Sequence, residues 1–303
     1  MGEARFIAGD WGTTHLRLFL CDGEGVALDS RGGPGAAEST GRFATVFASL
    51  TADWEAQHGK LPAVLCGMVG SSFGWVQAPY VPCPARPAHI AAACAVIDHR
   101  IHVVPGLSCQ NRFGAPDVLR GEETQLLGAL SLLEPRQLVC LPGTHTKWLV
   151  MEEGQVREFF TAPTGELFAV LRDHSVLVRG ASPGSDAAIE AKAFDDAVAS
   201  VAARPDAQVL HRLFECRSRP LSGELPATAA AAYLSGLLIA SDVQGALRAL
   251  AGTFAPSTVV LVGAAPLTQL YASACAALGL RSSQVDGATA SLAGLTEVYR
   301  RLS

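Results

Sequence analysis

Ile7-Ala8-Gly9-Asp10-Trp11-Gly12-Thr13-Thr14-His15-Leu16-Arg17-Leu18-Phe19-Leu20 opens the chain with an apolar run, a hydroxyl-rich turn and a second apolar run, followed by Asp22-Gly23-Glu24-Gly25-Val26. Later the chain repeats itself. Leu138-Val139-Cys140-Leu141-Pro142-Gly143-Thr144-His145-Thr146-Lys147-Trp148-Leu149-Val150 leads into Glu152-Glu153-Gly154-Gln155-Val156. Each copy reads as strand, Gly-Thr turn, strand, then an acidic-glycine hairpin into a third strand. A small turn with free backbone N–H groups, hydroxyls and a nearby cation suits phosphate oxygens. Two such turns suggest two jaws on one polyphosphate, so nucleotide-dependent phosphoryl transfer is the expected chemistry.

The bulk of the sequence fits this. At 303 residues the chain has room for two domains of ordinary size. Hydrophobic residues make up 49% and charged residues 17%, the composition of a well-cored globular protein. A net charge of −5 argues against a nucleic-acid partner, since no basic stripe is present to displace phosphate counterions. Lys60, Lys147 and Lys192 are the three lysines among 23 basic residues, which makes a lysine just after the second Gly-Thr turn less easily incidental. The eight cysteines are scattered, with no C-x-x-C pair, and read as reduced thiols. The apolar stretch 229–240 is short for a membrane span and runs into Asp242. No membrane partner and a cytoplasmic location are expected, with the chain a monomer or homodimer.

Periodicity predicts strands over 4–10, 14–21 and 25–31, a helix over 41–57, a strand over 61–66 with a flexible 67–72 loop, and a strand over 100–104. Residues 105–119 read as a loop and 121–133 as a helix. The second half gives strands near 137–141, 146–151 and 155–161, helices from Gly165, and helical inserts punctuated by Pro183-Gly184-Ser185. A long helix over 227–250, a strand over 258–262, a helix over 267–278, a strand over 281–286 and a closing helix over 289–302 follow. This is an α/β duplication with mixed sheets, divided near residue 135, with the cleft expected between the halves.

Asp-x-Gly-Thr-Thr followed by Arg, a second Gly-Thr turn and a late apolar strand ending in Gly263 resemble the superfamily of sugar kinases, actin and heat-shock chaperones. Within it, the chain is similar to the 2-dehydro-3-deoxygalactonokinase family. The resembling segments include Cys66-Gly67-Met68-Val69-Gly70-Ser71, Arg120-Gly121-Glu122-Glu123-Thr124-Gln125-Leu126, Pro142-Gly143-Thr144-His145-Thr146-Lys147-Trp148, Thr164-Gly165-Glu166-Leu167 and Phe214-Glu215-Cys216-Arg217, in order over nearly the whole chain. The resemblance implies a ribonuclease H-like duplicated (actin-like ATPase) fold of two domains. Residues 1–135 would form the sugar-acid half with the first phosphate loop, and 136–303 the half with the second loop and the adenosine site. It implies ATP and Mg²⁺ as cofactors, and 2-dehydro-3-deoxy-D-galactonate as the acceptor, phosphorylated on its terminal hydroxyl in galactonate breakdown.

Residues take roles on that basis. Asp10 is the candidate Mg²⁺ carboxylate, through water, because that ion keeps most of its hydration shell. Gly12, Thr13 and Thr14 offer donors to the β- and γ-phosphates, with Arg17 either reaching them or pointing outward. Gly143, Thr144 and His145 repeat the cradle. Superfamily members usually carry Asp where this chain has Pro142, so the second copy brings no metal carboxylate and Lys147 is its candidate charge. Phosphoryl transfer is mostly positioning plus charge stabilisation, with a base near the attacking hydroxyl. Glu122 is favoured for that base, with Glu123 and Glu166 as rivals. Arg120 and Arg217 are candidates for the acid's carboxylate, Gly70 and Ser71 for close approach to the polyol, Trp75 for stacking, and Glu166 for substrate contact. Gly263 and Ala264 are expected to face adenosine. Alternatives on the same motifs are a kinase of another sugar acid or amino sugar, a polyphosphate or nucleotide hydrolase, and a sugar sensor.

Overall fold

The computed structural model describes residues 2–178 and 186–303, so the Pro183-Gly184-Ser185 punctuation lies outside the described residues. The first repeat forms β1 (Phe6–Trp11), β2 (His15–Cys21) and β3 (Ala27–Pro34), followed by the helix Phe43–His58 and β4 (Ala63–Gly67). Strands β1 and β4 are apolar almost throughout because both faces are covered, whereas β2 alternates exposed and buried residues. In the helix, Phe43, Phe47, Thr51 and Trp54 turn inward at helical spacing. They join Trp11, Leu16, Leu18 and Leu65 in one core.

Residues 105–119 are not a loop. After β5 (Tyr80–Pro82), β6 (Ala95–Ile97) and β7 (Ile101–Val103) come β8 (Gly106–Gln110) and β9 (Pro116–Leu119). β8 pairs parallel with β5 and antiparallel with β9 in a small three-stranded sheet. β6 was also unexpected; it pairs antiparallel with β7 at the edge of the first sheet. The helix Glu122–Ala129 is shorter than expected and ends in a tighter turn over Leu130–Leu132.

The second repeat forms β10 (Arg136–Leu141), β11 (Thr146–Glu152) and β12 (Gln155–Ala162), then the helix Thr164–His174. Helices Ala187–Ala203, Val209–Arg212, Glu215–Ser222 and Ala230–Leu250 intervene before β13 (Thr258–Gly263), helix Ala265–Ala277, β14 (Arg281–Asp286) and helix Gly287–Leu302. The first sheet runs β3-β2-β1-β4-β7-β6 and the other β12-β11-β10-β13-β14. The leading five strands of each follow one order, so the duplication seen in the turns extends to the sheets. The segment Ala227–Leu250 is apolar and long enough to cross a membrane, yet 61% of its most apolar window is buried within the protein. That makes it a core helix.

By packing, the chain forms two compact units. One comprises Met1–Arg136, Leu149–Phe159 and Val285–Ser303; the other comprises Gln137–Trp148 and Phe160–Gln284. In the first unit the closing helix Gly287–Leu302 crosses Glu122–Ala129 at two glycines. A Cβ on Gly128 would overlap the Ala290 carbonyl, and one on Gly294 would overlap the Thr124 carbonyl. Alanine in a helix interior normally gains ~1 kcal/mol over glycine. At Gly128 we expect the reverse: Gly128→Ala should lose about 1–3 kcal/mol through overpacking. Urea unfolding of the variant checks this, and a variant as stable as the parent would contradict the tight crossing.

Candidate active site

The first turn projects from the paired ends of β1 and β2. Gly12 N–H donates to the His15 carbonyl at 2.9 Å, and the Gly12 and Thr13 carbonyls accept from Ala36 and Ala37 N–H at 2.9 and 3.1 Å. The turn is therefore braced through its carbonyls, while Thr13 and Thr14 stay exposed. A hollow of about 470 Å³ lies over it, lined by Asp10, Gly12, Thr14, His15, Arg17 and Gly33 among others. Opposite Asp10 in the β1–β2 register sits Arg17, whose Nη2 donates to Asp10 Oδ2 at 2.6 Å. The side chains of this pair are 48% and 19% exposed, respectively for Arg17 and Asp10. An ion pair so open to water adds little stability, so both charges can be drawn to a ligand at small cost.

Behind Asp10 the chain packs through glycine. Gly67 closes β4 with φ 88°, and a side chain there would press on the Trp11 carbonyl. A Cβ on Gly121 would lie 3.5 Å from Gly67 Cα. This seats the start of the helix Glu122–Ala129 beside the end of β4. Glu122 Oε2 accepts Arg120 N–H at 3.0 Å and Glu123 Oε2 accepts Gly121 N–H at 2.6 Å, so the two carboxylates close the helix start together. They differ in burial. Glu123 is 0% exposed, and burial, followed by the neighbouring charge of Glu122, pushes its carboxyl up to about 8. Thr124 Oγ1 donates to Glu123 Oε1 at 3.1 Å. Burial thus favours the protonated form of Glu123 at neutral pH. The Cys66 thiol, 3.9 Å from Asp10 Oδ1, is held neutral by burial first and then by the charge of Asp10.

Arg120 precedes this pair. Its Nη2 donates to the Ala78 carbonyl at 2.8 Å, and the guanidinium lies 4.4 Å from the Tyr80 ring centroid. Its Nε and Nη1, like the Ser71 hydroxyl, are buried with no hydrogen-bond partner among the described residues. A side chain on Gly70 would come within 2.9 Å of Arg120 Nη1. Gly70, Ser71 and Arg120 thus form one neighbourhood around donors that lack a protein acceptor. Trp75 belongs elsewhere: it packs tilted or edge-on against Trp11 and Phe47, with centroids 6.4 and 5.7 Å away.

The second turn is built differently. His145 Nε2 meets Glu166 Oε2 at 2.7 Å, in a pair whose side chains are each more than half exposed. Glu166 N–H donates to the Thr144 carbonyl at 2.9 Å, and a Cβ on Gly165 would overlap the Gly143 carbonyl. Lys147 lies beneath the turn, 7% exposed, donating to Thr161 Oγ1 at 2.8 Å. Gly263 stands at the end of β13, where a Cβ would lie 3.6 Å from the Pro142 carbonyl. Ala264 caps the next helix, accepting from Leu267 and Thr268 N–H. Arg217 sits on the helix Glu215–Ser222, beside the Arg212–Glu215–Arg219 ion-pair network.

Sequence reasoning missed Asp242. Its carboxylate accepts from Trp148 Nε1 at 2.8 Å, Thr164 Oγ1 at 2.7 Å and Tyr271 OH at 2.7 Å, with Tyr271 OH also 2.8 Å from Thr146 Oγ1. Burial raises its carboxyl above the ordinary range although the three donors pull the other way. The signal was present: an acid in the middle of a run otherwise apolar needs partners.

Comparison with known proteins decides the lineage. A family model described as 2-keto-3-deoxy-galactonokinase matches residues 10–298. The chain belongs to the 2-keto-3-deoxy-galactonokinase family. It is 36% identical over 296 residues to the 2-dehydro-3-deoxygalactonokinase of Escherichia coli (strain K12), covering 97% of each chain. It is 38% identical over 304 residues to a protein assigned the same name in Rhizobium meliloti (strain 1021), covering 98% of this chain and 97% of that one. A crystal structure assigned to the same name, from Sinorhizobium meliloti, superposes with a TM-score of 0.89 at 36% identity, covering 97% of this chain and 98% of that one. The activator of 2-hydroxyisocaproyl-CoA dehydratase from Clostridium difficile, with bound ADPNP, is similar in fold alone, at a TM-score of 0.53 and 11% identity over 98% of this chain and 95% of that one. Together with the repeated strand order, this makes the architecture of the galactonokinase-family chain the duplicated ribonuclease H-like, actin-like ATPase fold.

The Glu123 environment has a consequence for stability. An unfolded glutamate titrates near 4.5 and folded Glu123 near 8. Between those values the unfolded chain has released a proton that the folded chain keeps, so this group makes stability fall as pH rises across that window. Glu123→Gln, which cannot ionise, is expected to match the parent near pH 4.5 and to be more stable, by on the order of a few kcal/mol, above pH 8. Thermal melts at both pH values test this; an equal gap at both would refute it.

Proposed function

We propose that this chain is an ATP-dependent carbohydrate kinase that phosphorylates 2-dehydro-3-deoxy-D-galactonate on its terminal C6 hydroxyl, in D-galactonate breakdown in the cytoplasm. The reading rests on the family match over residues 10–298, which spans both Gly-Thr turns and the Glu122–Glu123 pair. Residues 1–135 then serve as the sugar-acid half with the first phosphate loop, and 136–303 as the nucleotide half.

In this reading Gly12, Thr13 and Thr14 donate to phosphate oxygens, and Arg17 leaves Asp10 for them. Gly143, Thr144 and His145 form the second cradle, with Lys147 supplying positive charge from below. Gly263 and Ala264 face the adenosine. Asp10 would hold Mg²⁺, which would offset the negative charge of the phosphates. Among the described residues no group of three or more His, Cys, Asp or Glu side chains could hold a metal ion. A single carboxylate suits an ion that arrives with the nucleotide and retains its waters. Arg120, with Ser71 and Gly70, binds the acid's carboxylate in a bidentate fashion, because buried guanidinium donors need an acceptor. Arg217 and Glu166 remain further substrate contacts. Glu122 takes the proton from the C6 hydroxyl as its oxygen bonds to the γ-phosphorus and ADP departs; Trp75 supports the pocket wall from the core.

ADP release against a panel of 2-keto-3-deoxy acids tests the proposal, with the galactonate-derived acid expected to give turnover well above buffer. Turnover equal to buffer would reject that substrate, and phosphate release without any acceptor would indicate a hydrolase. Glu122→Gln is expected to lower kcat by ~10²-fold or more with KM for the acid nearly unchanged. Near-normal turnover would move the base to another residue. Arg120→Met is expected to raise KM for the acid by ~10-fold or more while KM for ATP stays put, the loss of a charged hydrogen-bonded pair being worth ~1.5–3 kcal/mol. Mg²⁺ alone should leave the melting temperature unchanged and Mg·ATP should raise it.

A further inference from the structure

Within the second unit a pocket of about 220 Å³ is walled by Phe168, Leu238, Ile239, Leu267 and Leu270. Gly143 of the second turn and Gly165 behind it form its near end, so the pocket begins where the proposed phosphate cradle stops. It is smaller than the ~300–1,000 Å³ that hold whole drug-sized ligands. Its size and walls suit one flat ring system, with Phe168 available for stacking.

Three hydroxyls also touch the pocket: Thr164, Ser235 and Tyr271. Two are already committed elsewhere. Thr164 Oγ1 and Tyr271 OH both donate to Asp242 Oδ2 at 2.7 Å. Ser235, Leu238 and Ile239 lie inside the helix Ala230–Leu250, and Leu270 inside Ala265–Ala277. Their backbone groups therefore belong to helix ladders. Among the described lining residues no side-chain amide, carboxylate or guanidinium is available to read a base edge; the Ser235 hydroxyl remains, with the Gly143 and Gly165 backbone at the turn end of the pocket.

We infer that this pocket takes the base of the phosphoryl donor by shape and apolar contact, leaves its hydrogen-bonding edge to water, and so accepts purine nucleoside triphosphates with little discrimination. The inference rests on the ATP-kinase reading for its donor class. A site that hydrogen-bonds its ligand rejects the mismatched analogue by ~10⁴–10⁵-fold, whereas an apolar pocket separates close analogues by only ~10–200-fold. A base edge buried against these walls would also lose its water partners without compensation. The edge must therefore point outward.

Titration calorimetry of the intact protein with Mg²⁺ and ATP, ITP or GTP tests this. Dissociation constants within ~10-fold of one another are expected. A preference for ATP of ~10³-fold or more, or no binding of any of the three, would overturn the inference. Equal binding with no ADP formed from ATP and the sugar acid would instead sink the kinase reading and leave the pocket's tolerance standing. Leu270→Trp, which fills the pocket, should weaken all three nucleotides by at least ~10-fold while leaving competition by inorganic tripolyphosphate unchanged. Leu267→Trp provides an independent filling variant on the same helix. Unchanged nucleotide affinity in both folded variants would place the base elsewhere.

Discussion

The helix that carries Glu122 and Glu123 is positioned by contact with the far end of the chain. Gly128 and Gly294 let it meet the closing helix with backbone against backbone, and no side chain fits between them. Its other end abuts Gly67, where β4 stops. A helix held at both ends this closely cannot slide, because each glycine contact fixes one direction of movement. Burial of Glu123 follows from that placement, and with burial comes its proton. Two adjacent and chemically identical carboxylates acquire different environments, Glu123 buried and Glu122 partly exposed, because of how the helix is seated.

The same logic separates the two Gly-Thr turns. Around the first, charge is exposed and only loosely committed: Arg17 holds Asp10 in a pair that water already screens. Beneath the second, a carboxylate is committed fully. Asp242 gathers Trp148, Thr164 and Tyr271, and through Tyr271 it reaches Thr146. These donors come from β11 and two helices, so the turn is fixed from below by a network whose members cannot be removed singly without orphaning a polar group. The first turn is built to exchange partners and the second to keep them.

Most of this scaffold was legible in the sequence wherever a local pattern carried the information. β1 to β4 and β10 to β12 announce themselves as short apolar runs between glycine turns, and Phe43, Phe47 and Trp54 give a helix by spacing alone. β8 and β9 were illegible because Pro105, Gly106, Gly114 and Pro116 imitate a loop; β8 becomes a strand by pairing with Tyr80–Pro82, distant in sequence, and β9 by pairing with β8. The Glu122–Glu123 pair was visible as a pair, but its division of labour depends on a tertiary packing direction. Lys147 looked like a charge at the tip of the turn, yet as the second residue of β11 it is buried and donates to Thr161. Asp242 was overlooked because the helix around it reads as uniformly apolar, and its three partners lie 94, 78 and 29 positions away.

Duplication explains why a single backbone plan can hold such different chemistry. In the first copy the penultimate residue of the leading strand is Asp10, which lines the hollow above the turn. In the second copy Leu141 takes that position and Pro142 follows; the carboxylates there are Glu166 beside the turn and buried Asp242 beneath it. Moving the acid from the tip to the base changes what the turn can do. A carboxylate at the tip meets solvent and ligand; one at the base consumes the hydroxyls around it and leaves the adjoining pocket apolar. One strand order thus carries one turn beside a partly exposed ion pair and another beside an apolar pocket.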